Sequence, residues 1–227
     1  MAALEIRDPI HGFIQREDHE REIIDTPLFQ RLRRIKQLAM ATLVYPGAVH
    51  TRFEHSLGAM HVAGRIAAKL LGSESERRLV RLAALLHDVG HGPFSHVSET
   101  ILERFARRDQ LQLQPGQQIH ELLTAQVILQ HAELAKPLSG TEREQVAGLL
   151  QGTYGDSLLK DIVSGPLDAD KQDYLLRDSY FCGVRYGVYD VERLADALRV
   201  HEDKDDRFLA SSVDGIHALE QFVLAKY

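Results

Sequence analysis

Apolar residues in this chain recur at a helical rather than an alternating period. Leu79, Leu82, Ala83, Leu86 and Val89 fall on one stripe, so the spacing predicts an amphipathic helix over 76–89 that drives one face into a core. Gly90, Gly92 and Pro93 then end it. A second stripe, Leu57, Met60, Gly64, Ala67, Ala68 and Leu71, predicts a helix over 56–71 with His55 at or just before its start. Thr26 as N-cap and Pro27 at the first helical position predict a helix to about residue 39. Its inner side would be Leu28, Leu32, Ile35 and Ala39, and its outer side the basic Arg31, Arg34 and Lys36. Further helices are expected over 95–107, 119–131, 141–150, 168–181 and 190–199 and from about 214, with a short segment over 158–163. Thr141 and Glu144 read as the capping box of the fifth of these helices after the basic one. Residues 4–15 suggest a small hairpin, 44–51 a loop delivering Arg52 and His55, and 200–211 a charged hairpin appendage. The Gln-rich stretch 109–118 reads as a flexible loop. The expected fold class is mostly α, with one or two small β-hairpins.

Length and charge narrow this picture. At 227 residues the chain fits one domain with a proper core. No run approaches the roughly 18 apolar residues of a membrane span, and no basic-then-apolar leader opens the chain, so the expectation is cytoplasmic, with no membrane partner. The single cysteine, Cys182, leaves no internal disulfide framework and little case for a thiolate metal site. A formal net charge of −6 disfavours nucleic acid as a partner. A small phosphorylated substrate remains compatible if local Arg and Lys side chains and a metal neutralise it.

The stretch 85–96, reading Leu-Leu-His-Asp-Val-Gly-His-Gly-Pro-Phe-Ser-His, concentrates the chemistry. His87 and Asp88 offer a divalent cation an imidazole nitrogen and a carboxylate oxygen from adjacent positions, and His91 and His96 follow within reach. Any one histidine more often caps a helix end; three with an aspartate in ten positions favour ligation. Downstream, Asp170, Tyr174, Arg177 and Asp178 fall at i, i+4, i+7 and i+8, which predicts one pocket-facing helix side.

An isolated histidine in Arg52-Phe53-Glu54-His55, then His87-Asp88, then a distant aspartate in Asp168-Ala169-Asp170-Lys171-Gln172-Asp173-Tyr174 resembles the metal pattern of the HD-domain phosphohydrolases. The 87–96 stretch resembles their deoxynucleoside triphosphate triphosphohydrolase subgroup. The likeness spans nearly the whole chain, through Asp8-Pro9-Ile10-His11-Gly12, residues 24–32, Ile35-Lys36-Gln37-Leu38 and Arg177-Asp178. A bare His-Asp pair is a weak signal; these ordered blocks are specific.

The resemblance implies one HD-type helical domain over 1–227, with a metal core at about 50–182 and the family's C-terminal lobe absent or truncated. It implies a divalent metal held by His55, His87, Asp88 and Asp170, a mixed shell that does not choose among Fe, Mn, Zn, Ni and Mg. Cleavage at the α-phosphorus would release deoxynucleoside and triphosphate. His96 would protonate the leaving oxygen, with His91 second and Glu99, where the family often has aspartate, orienting His96. His120, Arg52 and Lys171 would meet the phosphates, and Gln37, Leu38, Tyr174 and Asp178 the sugar and base. Asp25, Gln30 and Arg33 match residues that bind an activating nucleotide between subunits of a homo-oligomer. The competing readings are an HD-type phosphodiesterase or nucleotidase, a non-catalytic nucleotide-binding regulatory module, and a di-iron oxygenase drawing on His91 and His120. The set Arg52, Lys171, Tyr174 and Asp178 favours the triphosphate reading, and the intact metal pattern disfavours the non-catalytic one.

Overall fold

A computed structural model of the chain describes residues 5–105 and 118–226, the side chains of His96 and Glu103 excepted. Strands β1 (Glu5–Asp8) and β2 (Gly12–Gln15) pair antiparallel as the expected N-terminal hairpin. Its turn is tied down by Asp8, whose Oδ1 accepts the backbone N–H groups of Ile10 and His11 at 2.9 Å each. Helix α1 (Asp18–Ile24) was not expected; it has a Glu17–Glu20 capping box and only seven residues, too few to show a period. Thr26 does cap α2 (Pro27–Gln30), which tightens into a 3-10 turn over Arg31–Arg34.

The predicted helix to residue 39 ends five residues early. Ile35 is extended (φ −108°, ψ 107°), Lys36 bridges Thr51, and Ala39 is left-handed at φ 47°. Backbone bonds from Arg52 N to Ile35 O and from Gln37 N to His50 O, 2.8 and 3.1 Å, lay this segment beside the next helix. Tertiary pairing overrides helix propensity here.

Helix α3 (Arg52–Leu70) starts four residues earlier than its apolar stripe suggested, on a Thr51–Glu54 capping box, which puts His55 inside the first turn. Helix α4 (Glu74–Leu86) stops at His87, its C-cap, so Asp88 lies in the turn beyond. Then come α5 (His96–Phe105), α6 (Ile119–Gln130) and α7 (Gly140–Leu150). The capping box of α7 is Ser139–Glu142 rather than Thr141–Glu144, since Ser139 is the extended residue whose oxygen faces the N–H of Glu142. Helices α8 (Ser157–Ser164), α9 (Ala169–Cys182) and α10 (Val191–Ala197) lead into strands β3 (Leu198–Asp203) and β4 (Asp206–Ser211), and α11 (Ile216–Lys226) follows. The fold is mostly helical with two small antiparallel hairpins. The loop expected over 109–118 lies, save Gln118, outside the described residues.

Helix α3 is the central rod, with α4 along one side and α9 along another. The Leu79, Leu82, Ala83 and Leu86 stripe of α4 is buried as its period required. The second hairpin is not an appendage. Leu198 is buried in the main core, Ser157 at the start of α8 donates to Asp206 through its backbone N–H and its hydroxyl, and Arg207 spans Asp156 and Glu76. A smaller core of Leu175, Tyr189, Leu194 and Phe222 joins α9 to α10 and α11. No helix of the described residues is long and apolar enough to cross a membrane.

Candidate metal centre

Where α3, the end of α4 and α9 meet, three ligand atoms from His55, His87 and Asp170 lie within 4.8 Å of one another. The two Nε2 atoms are 3.2 Å apart, and Asp170 Oδ1 is 2.9 Å from that of His55 and 3.7 Å from that of His87. The far side of each ring decides what these atoms present. His87 Nδ1 faces the carbonyl of Ala84 at 2.7 Å and His55 Nδ1 faces Asp173 Oδ2 at 2.8 Å. A carbonyl and a carboxylate only accept, so each Nδ1 carries the hydrogen and each Nε2 turns a lone pair inward.

Two lone pairs and a carboxylate converging in a buried space repel unless a positive charge stands among them. His55 reports that demand: burial would lower it, yet its bonds to Asp170 and Asp173 raise it to about 10. The residues present therefore fit a divalent cation with mixed nitrogen and oxygen donors.

Asp88 stands beside this trio. Its Oδ2 accepts Arg52 Nη1 at 2.5 Å, and its Oδ1 is 3.3 Å from His91 Nε2 and 3.5 Å from His87 Nε2. Against the burial that would raise it, His87, Arg52 and His91 hold its carboxyl well below the usual range. Arg52 also donates through Nε to Ser95 Oγ at 2.9 Å, and Ser95 passes its own hydrogen to Lys36 O. Sequence reading missed Ser95, although the turn it closes is strained: Phe94 and Ser95 are both left-handed, at φ 65° and 48°. Arg31 was expected on an outer basic face. It instead turns in and donates to the carbonyls of His91 and Val89, clamping the same turn.

Across the cavity, Gly90 lets α6 approach. Its N–H donates to Thr124 Oγ1 at 3.0 Å, and a Cβ there would lie 2.3 Å from Thr124 N. The His120 ring thereby stacks on His91, centroids 4.0 Å apart, and burial brings His91 down to about 4. Glu99 accepts His120 Nδ1–H, a pairing the sequence did not suggest. The side chain of His96, on α5, lies outside the described residues, and with it the expected contact to Glu99.

Helix α9 forms the remaining wall. Asp170, Lys171 and Tyr174 line one cavity of about 360 Å³ together with Gln37, Arg52, His91 and His120. Lys171 Nζ is held by Asp168 Oδ2 at 2.5 Å and Gly165 O at 3.2 Å. Burial and the neighbouring Asp170 raise Asp168 to about 7. Arg177 does not reach the predicted pocket and is fully buried against Asp173 and Asp8, because two turns along α9 from Asp170 the same side packs on Gly58 of α3 and the N-terminal hairpin. Asp178, held by His50 Nε2 at 2.8 Å, lines a second cavity of about 280 Å³ with Leu38, Tyr45 and the half-buried Cys182. Tyr174 is the wall common to both cavities. Of the residues expected to take a regulatory nucleotide, Gln30 Oε1 accepts Arg33 Nε at 2.7 Å, and Arg33 lies 3.6 Å over the Phe53 ring. Asp25 turns to Arg21 and an open cavity of about 640 Å³.

The chain is similar to the uncharacterized protein YwfO of Bacillus subtilis, 35% identical over 230 residues, 97% of this chain and 49% of that protein. The deoxynucleoside triphosphate triphosphohydrolase SAMHD1 homolog of Dictyostelium discoideum is 34% identical over 216 residues, 88% of this chain and 40% of that one. The crystal structure of a phosphohydrolase (BT4208) from Bacteroides thetaiotaomicron superposes with a TM-score of 0.80 at 36% identity, covering 98% of this chain and 52% of that chain. The chain thus spans about half the length of the curated relatives it matches. Residues 52–160, from the first residue of α3 into α8, match the HD domain, and the chain is an HD-domain protein.

Proposed function

We propose that this chain is a metal-dependent hydrolase that cleaves deoxynucleoside triphosphates to deoxynucleoside and triphosphate. The observation that carries the reading is that His55, His87 and Asp170 share one cavity with Arg52, His91, His120, Lys171 and Tyr174. At about 360 Å³ it falls within the roughly 300–1,000 Å³ of small-molecule sites. The relative named as a deoxynucleoside triphosphate triphosphohydrolase supports the substrate class.

Charge explains why a metal belongs to the reading. Apart from the histidines, two cationic side chains, Arg52 and Lys171, face four carboxylates, Asp88, Glu121, Asp168 and Asp170. Both cations are already held by carboxylates, at 2.5 Å in each case. A polyphosphate would meet net negative charge there. His55, His87 and Asp170, with Asp88 adjacent, would hold the divalent cation; when bound it supplies positive charge toward the phosphate and acidifies water. The chain's own groups do the rest. Arg52 and Lys171 turn from their carboxylates to share the phosphate oxygens, and His120, oriented by Glu99, reaches the phosphate chain. His96 gives a proton to the departing 5′ oxygen, which would otherwise leave as an alkoxide. Tyr174 and Gln37 meet the sugar and base, with Leu38 and Asp178 in the adjoining cavity behind Tyr174.

Incubating the metal-loaded protein with each of the four dNTPs and NTPs and separating the products by chromatography tests this. Deoxynucleoside with intact triphosphate is the expected pair. Release of pyrophosphate or of single phosphate, or cleavage only of monophosphate or cyclic nucleotides, would overturn it.

A further inference from the structure

Behind the candidate metal centre lies a buried charge network that hydrolysis as proposed does not use, and it absorbs the Asp8-Pro9-Ile10-His11-Gly12 segment. Asp173 is fully buried, and each of its oxygens accepts two hydrogen bonds. Oδ1 takes His11 Nε2 at 2.6 Å and Arg177 Nη2 at 2.8 Å; Oδ2 takes His55 Nδ1 and Arg177 Nε, both at 2.8 Å. Arg177 in turn donates to Asp8 Oδ2 at 2.9 Å, while Asp8 Oδ1 holds the backbone that carries His11. The close approach of α3 and α9 is also exact in shape: a Cβ at Gly58 would lie 1.8 Å from Asp173 Oδ1 and 2.5 Å from Arg177 Nη2.

We propose that Asp173 is a positioning residue for the metal centre, and that the Asp8–His11 turn and Arg177 are the clamp that fixes it. The inference rests on the metal reading above. A carboxylate behind Nδ1 keeps the His55 ring in one plane and one tautomer, so that Nε2 faces Asp170 and His87, and it makes that nitrogen a stronger donor. His87 has only a neutral carbonyl, Ala84 O, in the same place. The two histidines are therefore unlike: His87 is set by its own helix end, and His55 by a tertiary lock that the N-terminal hairpin closes. Four donated bonds leave Asp173 no freedom to rotate, and one guanidinium against the carboxylates of Asp173 and Asp8 leaves the buried ensemble with one net negative charge before the histidines, which places negative charge behind His55.

Cobalt(II) is the probe, titrated into the metal-free full chain with visible absorption as the signal and a competing chelator to give the affinity. Asp173→Asn keeps the shape but removes the charge, and it is expected to weaken cobalt binding by about 10–100-fold and alter the absorption bands. His11→Phe leaves the Asp173–Arg177 pair and should weaken binding by about tenfold or less. His11→Gln, whose amide can donate to the same oxygen, should restore most of that loss. Thermal unfolding of each variant records whether it folds. Should Asp173→Asn fail to fold, the His11→Phe and His11→Gln pair decides, and equal affinities in the two overturn the proposal. Wild-type protein that takes up no cobalt sinks the metal reading and this proposal with it. Wild-type uptake with unchanged affinity and spectrum in folded Asp173→Asn sinks the positioning role alone.

Discussion

On the α3 and α9 side of the cavity, His55 is backed by the buried Asp173, Arg177 and Asp8 and by the partly buried His11, joined by bonds of 2.6–2.9 Å. On the opposite side, His91 follows a helix end and His120 opens α6, and between them runs a turn with two consecutive left-handed residues, Phe94 and Ser95. The first side fixes lone pairs by charge-assisted bonds that cannot rotate. The second holds imidazoles by stacking and by a strained backbone kept in place through Arg31, Arg52 and Ser95. Strain of this kind amounts to roughly 1–3 kcal/mol per residue and persists only where surroundings over-determine it. The division suits a site in which one side must hold a cation still while the other exchanges protons with a substrate.

Substitutions on the two sides should therefore separate metal content from turnover. The largest effect is expected for Asp170→Asn, which removes one of the three convergent donors. Elemental analysis should show the metal lost and dNTP turnover should fall to background; retained metal would move Asp170 out of the ligand set. On the other side, His96→Ala should lower kcat by about 10²–10⁴-fold with metal content intact. Loss of metal in that variant would erase the distinction between the sides.

The wall between the two cavities gives a smaller effect. Tyr174 lines both the metal cavity and the one that contains Asp178. Tyr174→Ala would join them, leaving metal in place, and should raise KM about tenfold, the scale of losing one well-packed contact, or relax discrimination against ribose. Steady-state kinetics on matched dNTP and NTP pairs measure both, and no change in either removes Tyr174 from substrate recognition.

Local signals in the chain located the metal-type residues but not what holds them. The His87-Asp88 pair and the α4 stripe were legible because a helical period and two glycines mark that helix and its end. Asp170 was legible through its spacing to Tyr174. Asp173, three residues on, was not, since its partners His11 and His55 are 162 and 118 positions away in sequence. The Asp8–His11 block carried the family resemblance without any hint of a mechanism. Arg177 misled for a related reason: seven residues, nearly two full turns, from Asp170 it lies on the same helix side, but that far along the axis the side faces Gly58 of α3 and Asp8 instead of the cavity. The 35–39 segment failed because its extended conformation is imposed by pairing with residues 50–52, an interaction that helix propensity does not contain.

The same buried side contains one group that titrates in an accessible range. His61, on α3, lies with its ring 5.1 Å from that of His11. Burial, then the proximity of His11, Arg65 and Arg81, lowers its pKa from 6.5 to about 4. The unfolded chain therefore binds more protons than the folded one between these values, so stability rises with pH across the window and is lost as pH falls from 6.5 toward 4. Asp173 acts in the same direction but at lower pH. Arg177 and its other donors overcome burial to hold it well below 3.8, so its contribution is complete above that value and fades only at lower pH. Urea denaturation of the metal-free protein at pH 7, 5.5 and 4.5 should show a decline that His61→Gln flattens. His61 is only partly buried, so screening limits the difference to about 1 kcal/mol. Equal slopes in wild type and His61→Gln would mean that the decline between pH 7 and 4.5 does not arise from the His61 ring, since the Asp173 contribution is complete throughout that range.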